Sequence, residues 1–311
     1  MKNSINASTD KSAFIFYPPG LDKNHTLPSM ALLKEAKKIF SKPPFETVAP
    51  YFYTDGPRNC AFIEIEEGTS LYGTGEVAGP LLRNGRVITL WNTGNLGYKK
   101  DGGRRLYQSH PWVLAVQSDG TAFGVIADTT WRLKIDLRNG IRFISDGPAF
   151  RIIAIQGKSP QEIMNGLAEL TGTTPMPPRW ALGFHQCRWS YYPDSRVREI
   201  ADEFRKRKIP CDAIWLDIDY MDGYRVFTFS PEHFPDPRAT NKYLHDRGFK
   251  SVWMIDPGVK AEKGYSVYDS GSKNGVWVKN AHGRVFEGIV WPGVCAFPDF
   301  TRPETREWWA E

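Results

Sequence analysis

Long apolar runs are missing from this chain of 311 residues. The longest, such as Trp112 to Val116, hold only a few residues where a membrane span needs about 20, so no membrane crossing and no membrane partner is expected. Cysteine is sparse as well. Cys60, Cys187, Cys211 and Cys295 form no C-x-x-C pair, which argues against a zinc knuckle or a disulfide framework and leaves four reduced core thiols. The six histidines, among them His110, His185 and His233, show no H-E-x-x-H and no i, i+4 pairing, and no G-x-S-x-G elbow occurs. No metal or other cofactor is expected. Concentrated basic charge is missing too: the net charge is +5, and the densest basic run, Arg205 to Lys208, follows Glu199, Asp202 and Glu203. That is a solvated helix end, not a nucleic-acid surface. The first twenty residues lack the apolar segment of a secretory signal, so a cytoplasmic location is expected and the sequons at Asn6 and Asn24 carry little weight.

The composition that remains is that of a folded protein. Hydrophobic residues make up 41% and charged residues 24%, which excludes extensive disorder, and the length suggests two domains. Aromatics are plentiful, with 11 Trp, 13 Tyr and 18 Phe. Their faces stack on sugar rings, but they also fill cores.

Residues 1–28 are polar, contain proline and show no periodicity, and read as a tail or a loosely attached arm. From about Phe45 to Gln156 short β-like runs alternate with turns. The runs are Cys60 to Ile65, Val87 to Trp91, Trp112 to Gln117, Ala122 to Ala127, Trp131 to Leu137 and Phe150 to Ile155, broken by pairs such as Asp119-Gly120 and Asn139-Gly140. This grammar predicts an antiparallel β-sandwich. Ser159-Pro160-Gln161-Glu162 then forms a capping box for a helix running to about Leu170, which places the sandwich domain with its linker helix at residues 29–172.

Residues 173–311 follow another rule. Apolar strands at Trp180 to Phe184, Ala213 to Ile218 and Lys250 to Ile255 alternate with helices, one opening at Asp194 and one at Asp236-Pro237. Such βα units build a parallel sheet, and Pro303 opens one more helix before the chain stops. The fold class expected is therefore all-β plus α/β: a β-sandwich followed by the first three units of an incomplete (β/α)8 TIM-type barrel.

Two motifs were weighed for chemistry. Gly73-Thr74-Gly75-Glu76-Val77-Ala78 has the letters of a dinucleotide fingerprint, but Gly79-Pro80 stands where a helix must begin, so a tight turn is expected. The stronger signal is a set of carboxylates at strand ends. In Ile214-Trp215-Leu216-Asp217-Ile218-Asp219 the period of two puts Asp217 and Asp219 on one face and Ile214, Leu216 and Ile218 on the other. The third strand ends in Ile255-Asp256-Pro257-Gly258. Parallel barrel strands direct their C-terminal ends at the active site and lie about 4.8 Å apart, so Asp217 and Asp256 can converge on one ligand, with Trp189 and Trp291 walling the pocket. Strand-end aspartates also cap loops, and tryptophans also pack cores. On spacing alone the two carboxyls also fit the acid and nucleophile of a retaining glycosidase.

The segments GFHQCRWSY and IWLDIDYM within Trp180 to Met221, MIDPG at Met254 to Gly258 and VWPGVCAFPDFT at Val290 to Thr301 closely resemble glycoside hydrolase family 31, the α-glucosidase family. LYGTGE (Leu71 to Glu76) and LYQSHPW (Leu106 to Trp112) are similar to its N-terminal sandwich. The resemblance implies a retaining α-glucosidase acting on α-linked gluco-oligosaccharides or α-glucan. It implies that Asp217 and Asp256 hold hydroxyls of the sugar being cleaved, that Trp189 and Trp291 line its walls, and that Ile218 belongs to the same substrate-binding set. The family's nucleophile lies in a W-x-D-M-N-E type motif and its acid/base is a later Asp; neither motif occurs here. The family also has W-N-x-D where this chain has Trp91-Asn92-Thr93-Gly94, so a carboxylate that reaches the substrate in relatives is replaced by glycine. Two further readings stay open at this stage: a non-catalytic carbohydrate-binding or regulatory fragment, and another specificity such as α-xylosidase. Oligomeric state is not legible.

Overall fold

A computed structural model describes residues 4–7, 13–21, 38–40 and 49–311. The chain divides into two compact units, Met1–Thr174 and Pro175–Glu311. Among the described residues no helix is long and apolar enough to cross a membrane.

The first unit contains twelve of the described strands in two sheets. In chain order they are β1 (Ser4–Ala7), β2 (Ala13–Tyr17), β3 (Lys38–Phe40), β4 (Tyr51–Asp55), β5 (Arg58–Ile63), β6 (Ser70–Gly73), β7 (Val87–Leu90), β8 (Trp112–Val116), β9 (Ala122–Asp128), β10 (Leu133–Asp136), β11 (Ile141–Ser145) and β12 (Arg151–Gly157). One sheet runs β3-β1-β2-β12-β9-β8-β6 and the other β4-β5-β11-β10-β7, with every pairing antiparallel. Alternation builds the core between them. Phe14, Phe16, Val113, Val125 and Ile152 from the first sheet meet Ile63, Ile88, Ile135, Ile141 and Phe143 from the second.

The first sheet is buried on its other face as well. There Ala13, Ile15, Ile126, Ile153 and Ile155 pack under Ile163 and Leu170 of helix α1 (Pro160–Thr171). The Ser159 half of the capping box is realised: Ser159 Oγ accepts from the Glu162 amide, while the Glu162 carboxylate accepts from the Lys158 amide; Pro160 takes the first position, and Gly172 caps the other end. Burial on both faces removes the polar alternation that betrays a half-exposed strand. That is why Ala13–Tyr17, read above as part of a tail, is in fact a strand with four buried residues, paired with β1 and β12. Its apolar run is short and its sequence neighbours are polar, so composition hid it.

The Gly73–Ala78 segment is a turn, as its context required. Gly73, Thr74 and Gly75 all have positive φ, and no helix follows. The amides of Thr74, Glu76 and Ala78 donate to the carbonyls of Trp112, Gln108 and Gly103.

In the second unit β13 (His185–Gln186), β14 (Ala213–Leu216) and β15 (Lys250–Trp253) form a parallel sheet in that order. Helices α2 (Asp194–Lys206) and α3 (Pro237–Asp246) connect them. Val197 and Ala201 of α2, Ile214 and Leu216 of β14, and Leu244 of α3 form one core. After β15 come β16 (Val259–Lys260), α4 (Ser266–Asn274), β17 (Glu287–Val290) and β18 (Gly293–Ala296), with β18 central in an antiparallel sheet, and then α5 (Pro303–Ala310). The parallel strands do not close into a barrel.

The strand limits differ from expectation in one way that matters. Trp180 to Phe184 is not a strand: Arg179–Leu182 forms a 3-10 turn and the paired residues are His185 and Gln186. An apolar run of five residues does not distinguish strand from turn, and here Leu182 and Phe184 are exposed. The other two parallel strands end earlier than read, at Leu216 and Trp253.

Candidate functional site

The ends of β14 and β15 build the site. Ladder pairing runs from Ala213–Lys250 to Leu216–Trp253 and continues one step beyond, where the Met254 amide donates to the Leu216 carbonyl at 2.9 Å. Asp217 is the first residue past β14, and Asp256 follows the end of β15 at the same edge. Both are partly exposed.

Asp217 starts a 3-10 turn, Ile218–Tyr220, and its Oδ1 accepts from the Ile218 amide at 2.8 Å. One oxygen is thus a cap, the structural role weighed above, and it fixes the carboxylate at the strand end. The negative charge reaches β13's side of the sheet: the thiol of Cys187, just past that strand, is held above its usual range first by burial and then by Asp217. Asp256 is tied to the same turn through Tyr220. That phenol is pushed up to about 12, first by burial and then by the charge of Asp256, and it donates to the Met254 carbonyl at 2.8 Å.

Asp219 does not share a strand face with Asp217, contrary to expectation, because β14 has already ended and the chain is turning. Its Oδ1 accepts from the Tyr224 hydroxyl at 3.1 Å, while Oδ2 is buried without a partner among the described residues. Ile218 is a core residue, 5% exposed, and its amide donates to Asp217 Oδ1.

The structure brings Trp189 and Trp291 together. Their ring centroids are 5.5 Å apart with planes inclined by 44°, and the side chains remain 63% and 59% exposed. Trp189 lies in the loop after β13, held by a hydrogen bond from Gln186 Nε2 to the Tyr191 hydroxyl at 2.8 Å. Trp291 lies in the turn between β17 and β18. A pair of indoles left half open to solvent is unusual for packing alone and suits a flat apolar ligand face.

Trp215 was missed by sequence reasoning. It stands two residues before Asp217 in β14, on the face opposite Ile214 and Leu216, so the period of two that picked out Asp217 applied to it equally. Its Nε1 donates to His185 Nδ1 at 3.1 Å, which leaves Nε2 as the ring's donor to the Trp180 carbonyl, also at 3.1 Å. The two contacts hold the His185 ring between Trp215 and the Trp180 carbonyl. Among the described residues no group of three or more His, Cys, Asp or Glu is placed to hold a metal ion.

In the first unit the loop after β7 has its own carboxylate, Asp101, but both oxygens are engaged. Oδ1 accepts from Asn95 Nδ2 at 2.6 Å and from the Arg104 amide, and Oδ2 pairs with Arg105 at 2.8 Å. The Arg105 hydrogen bond is the main cause of its lowered pKa. Asp101 is a brace for its loop.

Residues 174–311 match the glycosyl hydrolases family 31 TIM-barrel domain, and residues 35–136 match the glycosyl hydrolase 31 N-terminal galactose mutarotase-like domain. Alpha-glucosidase 2 of Bacillus thermoamyloliquefaciens is 39% identical over 255 residues, 81% of this chain and 32% of that protein. The chain spans about a third of the length of the curated relatives it matches. Among solved structures, a family 31 alpha-glucosidase from Bacteroides thetaiotaomicron is 57% identical with a TM-score of 0.76, covering 83% of this chain and 44% of that one. A Flavobacterium johnsoniae dextranase variant complexed with isomaltotriose is 27% identical with a TM-score of 0.75, covering 98% of this chain and 37% of that one.

Proposed function

Because the chain belongs to glycosyl hydrolase family 31, we propose that it is the sandwich and first barrel portion of a retaining α-glucosidase acting on α-linked gluco-oligosaccharides. The observation that carries this reading is that Asp217 and Asp256 follow the ends of two adjacent parallel strands; the exposed Trp189–Trp291 pair is the aromatic component this reading assigns to the same site.

The chemistry follows from the residue types. Ionised carboxylates accept short hydrogen bonds from sugar hydroxyls, and hydrogen bonds to charged acceptors are about twice as strong as neutral ones. Asp217 keeps Oδ1 on the Ile218 amide, so Oδ2 is its oxygen for a hydroxyl. The indole faces cover the apolar C–H surface of the pyranose and exclude water from it. These residues bind and orient. Cleavage with retention needs a carboxylate that attacks the anomeric carbon and a carboxylic acid that protonates the leaving oxygen, then returns as base to activate water. The W-x-D-M-N-E type motif that would supply the nucleophile does not occur in these 311 residues.

The test is a protein carrying this chain and the remaining barrel strands, incubated with 4-nitrophenyl α-glucoside, whose only glucose comes from the cleaved side, while proton NMR follows the first anomer released, and with maltose and isomaltose to score glucose release. α-Glucose as the first anomer from the aryl glucoside, and glucose from at least one disaccharide, are expected. β-Glucose as the first anomer from the aryl glucoside, or no glucose from either disaccharide, overturns the proposal.

A further inference from the structure

The first unit has a groove of its own at one end of the β7–β10 strand pair. Leu90 of β7 and Leu133 of β10 are register partners, so Trp91, leaving β7, and Trp131, entering β10, emerge at the same end of one strand pair. Both indoles are exposed, by 52% and 57%. Between them lies a cavity of about 440 Å³ whose polar lining comes from Asn92, Ser109, Thr129 and Thr130. That volume is within the roughly 300–1,000 Å³ of small-molecule sites. None of the described residues that line it is charged.

Trp131 is packed on one side despite its exposure. Its ring lies so close over Gly147 that a Cβ at that glycine would collide with it. Gly147 is itself pinned, its amide donating to Ser145 Oγ at 3.1 Å and its carbonyl accepting from Asn59 Nδ2 at 2.9 Å. The Trp131 amide donates to Thr129 Oγ1 at 3.2 Å. One side of the residue is therefore seated on the Gly147 backbone, and a side chain with fewer positions open to it loses less entropy on binding.

We infer that this groove is a second saccharide site, one that seats a neutral gluco-oligosaccharide between Trp91 and Trp131. Sugars present apolar C–H faces and a rim of hydroxyls that both donate and accept. An indole face matches the first, and an amide with three hydroxyls matches the second without any ionic partner. A phosphorylated or acidic ligand has no counter-charge here. On the same sheet the cations Arg58, Arg132 and Lys134 line a different cleft of about 240 Å³, around Asp146. The choice of an α-linked glucan rests on the family reading above. The aromatic groove itself does not.

The 311-residue chain, labelled with ¹⁵N-tryptophan, is titrated with maltoheptaose to about 10 mM, the range in which affinities near 4 kcal/mol are visible. Trp91→Phe and Trp131→Phe variants assign the two indole N–H signals. Both signals are expected to shift in the wild-type chain. In Trp131→Ala the Trp91 signal should need about tenfold more sugar to move, while circular dichroism stays unchanged because the residue is exposed. Asp217→Ala should leave both shifts intact, and inorganic phosphate should produce neither. Signals that stay fixed, that move equally in Trp131→Ala, or that are lost in Asp217→Ala overturn the inference. Failure of the longer protein to release glucose would overturn the proposed function and leave this titration readable on its own.

Discussion

The Tyr220 hydroxyl donates to the Met254 carbonyl at 2.8 Å, joining the turn after one parallel strand to the end of the next. Tyr265 does the same for Val226 at 2.6 Å, and burial pushes both phenols up to about 12 from an ordinary value of 10. The unfolded chain loses these protons first, so the folded form holds more protons between pH 10 and 12. The stability from the buried neutral phenols is complete below pH 10 and falls as pH rises towards 12. Denaturation of the second unit should steepen across that window. Tyr220→Phe and Tyr265→Phe should each flatten the pH dependence while costing about 1–2 kcal/mol at neutral pH, where a buried carbonyl loses its donor. A urea-midpoint series against pH reads both effects.

Phe16→Ala tests whether Ala13–Tyr17 belongs to the sandwich core. Phe16 is 2% exposed and sits between the sheets, so truncation should cost about 3–5 kcal/mol. An arm draped on the surface would lose under 0.5 kcal/mol, the usual scale of surface substitutions. Chemical denaturation of the two proteins separates the outcomes.

Sequence reading succeeded where local rules act alone. Ser159-Pro160-Gln161-Glu162 had to open a helix, and Asp236-Pro237 likewise, because capping is decided within four residues. It placed Asp217 and Asp256 at neighbouring strand ends because parallel order follows from βα alternation. It misjudged Ala13–Tyr17 and Asp219 for the same reason: a strand's role and its last residue are set by partners far along the chain. Trp215 lay within reach of the same period of two that picked out Asp217, but the Trp91–Trp131 groove was invisible, since a half-open indole and a buried one have the same letter.

Asp217→Ala in a protein with the complete barrel should raise the transition-state barrier by about 2–4 kcal/mol, because a site built on hydrogen bonds to hydroxyls loses heavily when one partner goes. It should not be rescued by azide. A glycosyl azide product, identified by mass spectrometry, would instead make Asp217 the nucleophile and refute its binding role.

The isolated chain should not hydrolyse maltose at all. The proposed function assigns this chain binding and orientation only, and neither protonation of the leaving oxygen nor stabilisation of an oxocarbenium ion has an assigned carboxyl. Turnover that co-purifies with the chain and disappears in Asp217→Asn would contradict this.

The two units should also differ in resistance to proteolysis. In the first, β12 and β9 are paired on both sides and covered on both faces, by the second sheet and by α1. In the second, β15 pairs only with β14 among the described residues, β13 contributes two residues, and the parallel sheet stays open. An open parallel edge exposes unpaired N–H and C=O groups beside Val252 and Trp253, and opening such an edge costs little. Limited digestion should therefore leave a core ending between about Gln156 and Arg179, with α1 retained because Ile163 and Leu170 are buried against the sheet. Mass spectrometry of the resistant fragment fixes its end. Amide exchange in Lys250–Trp253 as slow as that in Ala122–Asp128 would show instead that the two units open together, and would remove the open edge as a point of weakness.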